Sequence, residues 1–283
     1  MGLRQSKIQN PKSKITALAG KQIGIIGAGT MGQALVKGLL AQGVSRLALG
    51  AADARGQARH TVRRRFGIWT TPDNAALIRR SDVVILAVKP QQFPAVVRPL
   101  ARAMRGRLVI SIAAGMTLRW LRAHLPGVPL VRVMPNLPAT VGCGFAGIAA
   151  ARGTTRRHRR IAQAIFGSVG IAVELPERYL NAVTAVSGSG PAYVFFLVEA
   201  WVRAAQQLGL PAPVAAAAVR QTLEGSTRLL AASGEPPAAL IRKVASKRGT
   251  TEAALKVLVR RRVAAHFTEA LRAAAHRAQE ISR

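Results

Sequence analysis

The stretch that most restricts the fold of this 283-residue chain is G-A-G-T-M-G at 27–32, because of what stands on either side of it. Residues 22–27 read Q-I-G-I-I-G, a short β-branched run suited to a buried strand. Beyond the glycines, Ala34, Leu35, Leu39 and Leu40 recur at helical spacing as far as Gly43. Strand, glycine turn and helix in this order open a dinucleotide-binding βαβ unit. Gly27 permits the tight turn, Gly29 lets the backbone approach a pyrophosphate, and Gly32 lets helix and strand close together. The helix N-terminus then faces the phosphates.

Residues 47–52 make the second strand, which ends at Asp53, twenty-one residues past Gly32. A carboxylate there bonds a ribose 2′-hydroxyl and favours NAD. Arg55 and Arg59 follow it, and arginines at this place suit a 2′-phosphate and favour NADP. The coenzyme is read as NADP, or NAD. Three more apolar strands are expected at 83–88, 108–112 and 130–134. They run into the turns A-V-K-P, A-A-G and M-P-N. Alternation of strands and helices argues for a parallel sheet, with ligands beyond the carboxyl ends of its strands. Those turns are therefore expected to line one crevice.

The pattern changes after about residue 175. Apolar residues now recur at helical spacing in an Ala-rich background, giving helices at 192–208, 214–230, 237–245, 251–259 and 264–280. S-G-S-G-P at 187–191 is expected to interrupt them, with Pro191 in the first turn of the next helix. The organisation is read as a basic flexible tail at 1–20, a Rossmann-type parallel-sheet domain at 21–175 and an all-α domain at 176–283. Apolar Ala, Leu and Val faces on the last suit a dimer interface.

Composition narrows the class further. A hydrophobic fraction of 49% and a charged fraction of 19% support a large core rather than disorder. Lys and Arg number 42 against 11 acidic residues, so the net charge is +31, with clusters at 55–65, 152–160, 242–248 and 260–262. No nucleic-acid-binding motif or interleaved aromatic accompanies that charge, which leaves weak, salt-sensitive polyanion binding as its expected consequence. The single cysteine, Cys143, allows no intrachain disulfide and no cysteine metal cluster, and fits a reducing, cytoplasmic setting. The best apolar run, 192–202, has eleven residues and contains Glu199, so it reads as a buried helix and not a membrane span. The first twenty residues carry four basic and no acidic side chains, and read as a mobile tail rather than a lipidation or transit signal.

Taken in order, I-G-I-I-G-A-G-T-M-G, D-V-V-I-L-A-V-K-P-Q, V-I-S-I-A-A-G, V-R-V-M-P-N-L-P-A, A-V-S-G-S-G-P-A-Y-V-F, S-G-E-P-P and S-K-R-G-T-T resemble the pyrroline-5-carboxylate reductase family. The similarity spans about residues 21–282. It implies a Rossmann domain followed by an all-α dimerisation domain, and reduction of 1-pyrroline-5-carboxylate to proline with NAD(P)H. It also implies dimers interlocked through the helical domains, often in larger rings. By the same resemblance, Gly27, Gly29, Thr30, Met31 and Gly32 hold the coenzyme phosphates, and Asn74 reaches the adenosine side. Ala87, Lys89 and Pro90 line the nicotinamide ribose, and Ala113, Ala114 and Gly115 the nicotinamide. Ser246, Gly249, Thr250 and Thr251 take the substrate carboxylate, with Thr251 bonding the ring nitrogen.

Such a reaction needs no metal and no strong base, because a protonated imine is already a good electrophile and positioning does most of the work. This chain departs from the family pattern Ser-Pro-Gly-Gly before the threonine pair: Lys247 replaces the proline and Arg248 the first glycine. Leu137 stands where the family has threonine after M-P-N. A glycine at 248 often marks positive φ, which arginine tolerates poorly. The departures leave two other readings: a Rossmann reductase of another imine or ketone, and a degenerate fold serving as a basic nucleic-acid-binding module.

Overall fold

The computed structural model describes residues 16–282. Of the basic stretch 1–20, residues 1–15 lie outside the described residues, and Thr16–Leu18 form a 3-10 turn that buries Leu18. The chain divides into two compact units, one of residues 1–189 with 274–283 and one of residues 190–273.

The first unit is built on an eight-stranded sheet. Its strands are β1 (Ile23–Ile26), β2 (Leu49–Ala52), β3 (Trp69–Thr71), β4 (Val83–Leu86), β5 (Leu108–Ser111), β6 (Leu130–Met134), β7 (Gly144–Ala150) and β8 (Gly170–Glu174). Their spatial order is β3-β2-β1-β4-β5-β6-β7-β8. The strand order reverses between β1 and β4, the place where parallel α/β sheets open a ligand crevice. All neighbours are parallel except β6 and β7, which pair antiparallel with Val133 opposite Ile148. The six helices of the layers are α1 (Thr30–Ala41), α2 (Gly56–Phe66), α3 (Asn74–Arg79), α4 (Phe93–Leu100), α5 (Leu118–His124) and α6 (Arg156–Gly167).

Strands β1, β4 and β5 are buried on both faces, which explains why they are almost wholly apolar rather than alternating. Along β4, Val83 and Ile85 join one apolar cluster with Leu35, Leu39 and Phe166. Val84 and Leu86 point the other way, into a cluster with Phe93, Val97 and Leu121. The second strand is shorter than its apolar run. Residues Arg46–Ala48 form a 3-10 turn because Ser45 caps it, its hydroxyl accepting from the Leu47 N–H at 3.2 Å.

S-G-S-G-P does not break the chain into separate helices, contrary to the sequence expectation. A 3-10 turn (Glu177–Tyr179), the short α7 (Leu180–Val183), a π-helical turn (Thr184–Gly188) and α8 (Gly190–Gln207) follow directly on one another. The π turn closes with the Ser189 N–H donating to the Thr184 carbonyl at 2.8 Å. A wider turn absorbs the glycines and the proline without ending the helix. As a result, residues Glu177–Gln207 are one helical run long and apolar enough, by length and composition, to cross a bilayer, with 6% of its apolar window buried. The apolar run read from sequence was shorter because it stopped at the serines and glycines.

The second unit holds α8, α9 (Ala212–Ser233), α10 (Pro237–Val244), α11 (Thr250–Arg260) and most of α12 (Val263–Ile281). Gly234 ends α9 in the left-handed conformation, and Pro237 opens α10 where its missing N–H costs nothing. Tyr193 and Phe267 meet edge to face at 6.0 Å. Few side chains are buried here: Ala205, Ala215 and Val219. Phe195, Phe196, Leu208, Val257 and Val259 are exposed. Patches of this kind mark protein–protein or membrane interaction sites.

Candidate active site

The glycine turn has the geometry its sequence requires. Gly27 has φ +108°, and a Cβ on it would stand 2.5 Å from the Ala87 carbonyl oxygen. A Cβ on Gly32 would stand 2.2 Å from the Gly27 carbonyl oxygen, so both close approaches exclude any side chain. Gly29 differs: nothing lies within 4 Å of its Cβ position. It is the N-cap of α1, and the first-turn N–H groups of Thr30, Met31 and Gly32 are the unpaired donors of any helix start. A cavity of about 310 Å³ opens beside it, lined by Ala28, Gly29, Thr30, Gln33 and Arg55 among others. Gln33 braces the turn by donating from Nε2 to the Ala28 carbonyl at 2.9 Å.

Asp53 is a clasp rather than an open carboxylate. Its Oδ2 accepts from the Ala28 N–H at 2.9 Å, which ties the end of β2 to the glycine turn. Oδ1 accepts from the Arg55 N–H at 2.9 Å and from Arg55 Nε at 3.0 Å, while Arg55 Nη2 reaches Oδ2 at 3.0 Å. Burial pushes this carboxyl up, but the Arg55 side chain, the Arg55 and Ala28 N–H groups and the Arg55 charge together hold it below the usual carboxylate value. Arg59 fixes the same corner by donating from Nη1 to the Asp53 and Ala54 carbonyls at 2.7 and 2.8 Å. Of the two readings open for this corner, a ribose ligand at Asp53 or arginines for a 2′-phosphate, the first meets a carboxylate that already accepts from four N–H groups.

The remaining sheet residues gather at the carboxyl edge. Ala87 extends β4, its N–H donating to the Ile26 carbonyl at 2.7 Å. Lys89 is the exposed N-cap of a 3-10 turn, Pro90–Gln92. Ala113 and Ala114 follow β5, with the Ala113 N–H donating to Ser111 Oγ at 3.3 Å. Gly115 is buried with φ +80°, and a Cβ there would stand 2.7 Å from both Cγ2 and the carbonyl oxygen of Ile281. Its lack of a side chain serves the end of α12. Asn74 is the first residue of α3, whose N-cap Asp73 accepts from the Ala75 N–H at 2.8 Å.

One residue of the crevice was legible only as part of a turn. Pro191 has no N–H, so the Ser187 carbonyl one helical turn earlier lacks its usual donor. Asn136 supplies it, donating from Nδ2 to that carbonyl at 3.2 Å and to Ser187 Oγ at 3.0 Å. Asn136 Oδ1 accepts in turn from the Phe145 N–H at 2.8 Å. The side-chain amide thereby straps the π turn to β7 just beyond the end of β6. Nearby, the buried Arg132 pairs with Glu177 at 2.9 Å, and the same Glu177 Oε1 accepts from the Leu118 N–H at 2.7 Å.

In the helical unit, Gly249 is the N-cap of α11, with Thr250 and Thr251 its first two residues. The Gly249 N–H donates to the Ser246 carbonyl at 3.0 Å, and a Cβ on Gly249 would stand 2.3 Å from Ser246 Oγ. Ser246 and Thr250 are exposed and Thr251 is half-buried. Arg248 sits at φ +61°, so arginine does occupy a left-handed position here. Its N–H donates to the Glu252 carboxylate, which reaches back from the third helical position as in a capping box. Lys256 then holds Glu252 at 2.8 Å, and these contacts draw its carboxyl below the usual value. Four residues expected in one loop, Ser246, Gly249, Thr250 and Thr251, are thus together at one helix start.

Comparison with known proteins covers both units. A family described as pyrroline-5-carboxylate reductase dimerisation matches residues 177–281, and one described as NADP oxidoreductase, coenzyme F420-dependent, matches residues 22–115. The chain is 38% identical to the pyrroline-5-carboxylate reductase of Synechocystis sp., over 93% of this chain and 98% of that protein. It is 39% identical to that of Pseudomonas aeruginosa, over 92% and 97%. Among solved structures, a pyrroline-5-carboxylate reductase from Coxiella burnetii superposes with a TM-score of 0.88 at 34% identity, covering 93% of this chain and 99% of that one. A Plasmodium falciparum pyrroline carboxylate reductase with NADP bound gives a TM-score of 0.84 at 26% identity, with the same coverage of 93% and 99%.

Proposed function

This chain belongs to the pyrroline-5-carboxylate reductase family, and from that premise we propose that it reduces 1-pyrroline-5-carboxylate to proline, the last step of proline biosynthesis. The observation that carries the reading is resemblance across nearly the full length of named reductases, sheet unit and helical unit alike. A nicotinamide coenzyme, when bound, supplies the hydride that reduces the C=N bond. The chain fits such a coenzyme: Gly29 is open towards a cavity, while Gly27 and Gly32 are closed against backbone. The N–H groups opening α1 hold the phosphates, Asn74 lies toward the adenosine, and Ala87, Lys89, Pro90, Ala113, Ala114 and Gly115 form the nicotinamide end. NADPH is preferred over NADH, because Asp53 has no oxygen left for a 2′-hydroxyl while Arg55 lines the cavity beside it.

The substrate carboxylate binds at the start of α11, on its open N–H groups and the Ser246 hydroxyl. Thr251 offers its hydroxyl to the ring nitrogen, which gains a proton as the carbon is reduced. No side chain here has to act as a strong base, so orientation supplies the rate. The helical unit mediates self-association, and we extend this to a homodimer, with larger rings built from it. Its exposed Phe195, Phe196 and Val259 are the surface a second copy covers. The proposed location is the cytoplasm, in keeping with a single free cysteine, Cys143.

The test is coenzyme oxidation by the purified protein with pyrroline-5-carboxylate at moderate salt. Turnover is expected, faster with NADPH than NADH, and Thr251→Val should lower kcat by about 10- to 100-fold. Coenzyme binding without turnover would move the substrate to another imine.

A further inference from the structure

We propose that Arg98, Arg102 and Arg105 form a second anion site, separate from the coenzyme crevice, that takes a di- or triphosphate group. The three line a cavity of about 440 Å³ with Pro99, Ala101 and Pro126. Helix α4 begins beyond the carboxyl end of β4 and carries the chain back to the start of β5. Arg105 therefore precedes β5 and Pro126 precedes β6, at the edge of the sheet where the parallel strands begin. The glycine turn lies at the opposite edge.

Three arginines without an acidic partner share this one cavity. Every acidic residue but Asp82 stands beside a basic side chain, and Asp82 accepts from the Gln22 N–H at 2.8 Å. None of those carboxylates is spent on the trio. Among the described residues, no ion pair or side-chain hydrogen bond engages Arg98, Arg102 or Arg105. Helix-like turns continue past α4, with the Ala101 N–H donating to the Arg98 carbonyl and the Met104 N–H to the Leu100 carbonyl. Residues four and then three apart on such a path share one side. Three guanidinia on one concavity repel each other until an anion enters, and the concavity concentrates their field. Guanidinium forks match phosphate oxygens in pairs, so a phosphate chain satisfies several at once. The proline and alanine walls leave room for a small organic group attached to it.

Calorimetric titration of the full chain tests this, at about 0.15 M salt so that diffuse attraction is screened. Pyrophosphate and ATP are the probes, with the coenzyme site filled by saturating NADP⁺. Saturable binding is expected, weakened at least about tenfold in R98Q/R102Q/R105Q and less than about twofold in the charge-matched R156Q/R157Q/R160Q. Arg102→Gln alone, weakened by about threefold, serves if the triple variant does not fold. Equal affinity for the two probes assigns the site to the phosphate chain; tighter ATP binding adds the nucleoside. Equal losses in the two triple variants, or no loss in either, would overturn the proposal in favour of a diffuse basic surface.

Discussion

In the sheet unit Leu35, Ile85 and Phe166 are wholly buried, whereas in the helical unit Phe196 and Val259 are 74% and 76% exposed. The two units use the same apolar residue types in opposite ways. A sheet covered by helices on both faces closes its own core within one chain. Helices α8 to α11 present apolar faces that one chain leaves open. On the proposed reading, the second unit obtains the rest of its core from another copy. Stability of the first should then be a property of the chain, and stability of the second a property of its concentration.

The strongest way to break this comparison is a cavity in the sheet unit. Leu35→Ala should cost about 3 kcal/mol, read as a lower urea midpoint that is the same at two protein concentrations. A loss that grows on dilution would mean that the sheet unit also depends on association. Next in size is Phe196→Ala. It should weaken self-association by about 2 kcal/mol, or roughly 30-fold in dissociation constant, by sedimentation equilibrium. Undiminished association would put the interface elsewhere on the helical unit.

Asn136→Ala should cost about 1–2 kcal/mol, since it leaves the Ser187 carbonyl and the Phe145 N–H without their partner. Thermal unfolding measures it; an unchanged midpoint would show that water replaces the amide. The smallest effect is expected in the substrate loop. Arg248→Gly should stabilise by about 1 kcal/mol by relieving the positive φ, and lower KM for pyrroline-5-carboxylate. A raised KM would instead make the Arg248 guanidinium part of the carboxylate site.

Much of the sheet unit was legible because its signals are local. The glycine triplet, the apolar runs and the turns that stop them each lie within a few residues. The helical spans of the second unit were readable for the same reason, to within a few residues at their ends. What escaped was long-range. Strand β7 is Gly- and Ala-rich, and only its pairing with β6 and β8 makes it a strand. The break expected at S-G-S-G-P became a π turn because Asn136, 51 residues away, supplies the missing donor.

The sequence by itself determined the class of fold, the place of the glycine turn and the loop that opens α11, since each follows from backbone preferences of neighbouring residues; the left-handed demand on Arg248 followed from the resemblance, whose pattern has glycine there. Only the tertiary structure decided what Asp53 does. Its spacing from Gly32 suits a ribose ligand, but its carboxylate meets the Ala28 N–H and the Arg55 guanidinium first. Gly115 adds a contact of the same long range: its bare Cα faces Ile281 across 166 residues of chain. A hydrogen bond or a close contact between distant segments is set by where the folded backbone brings them, and no local preference encodes that meeting.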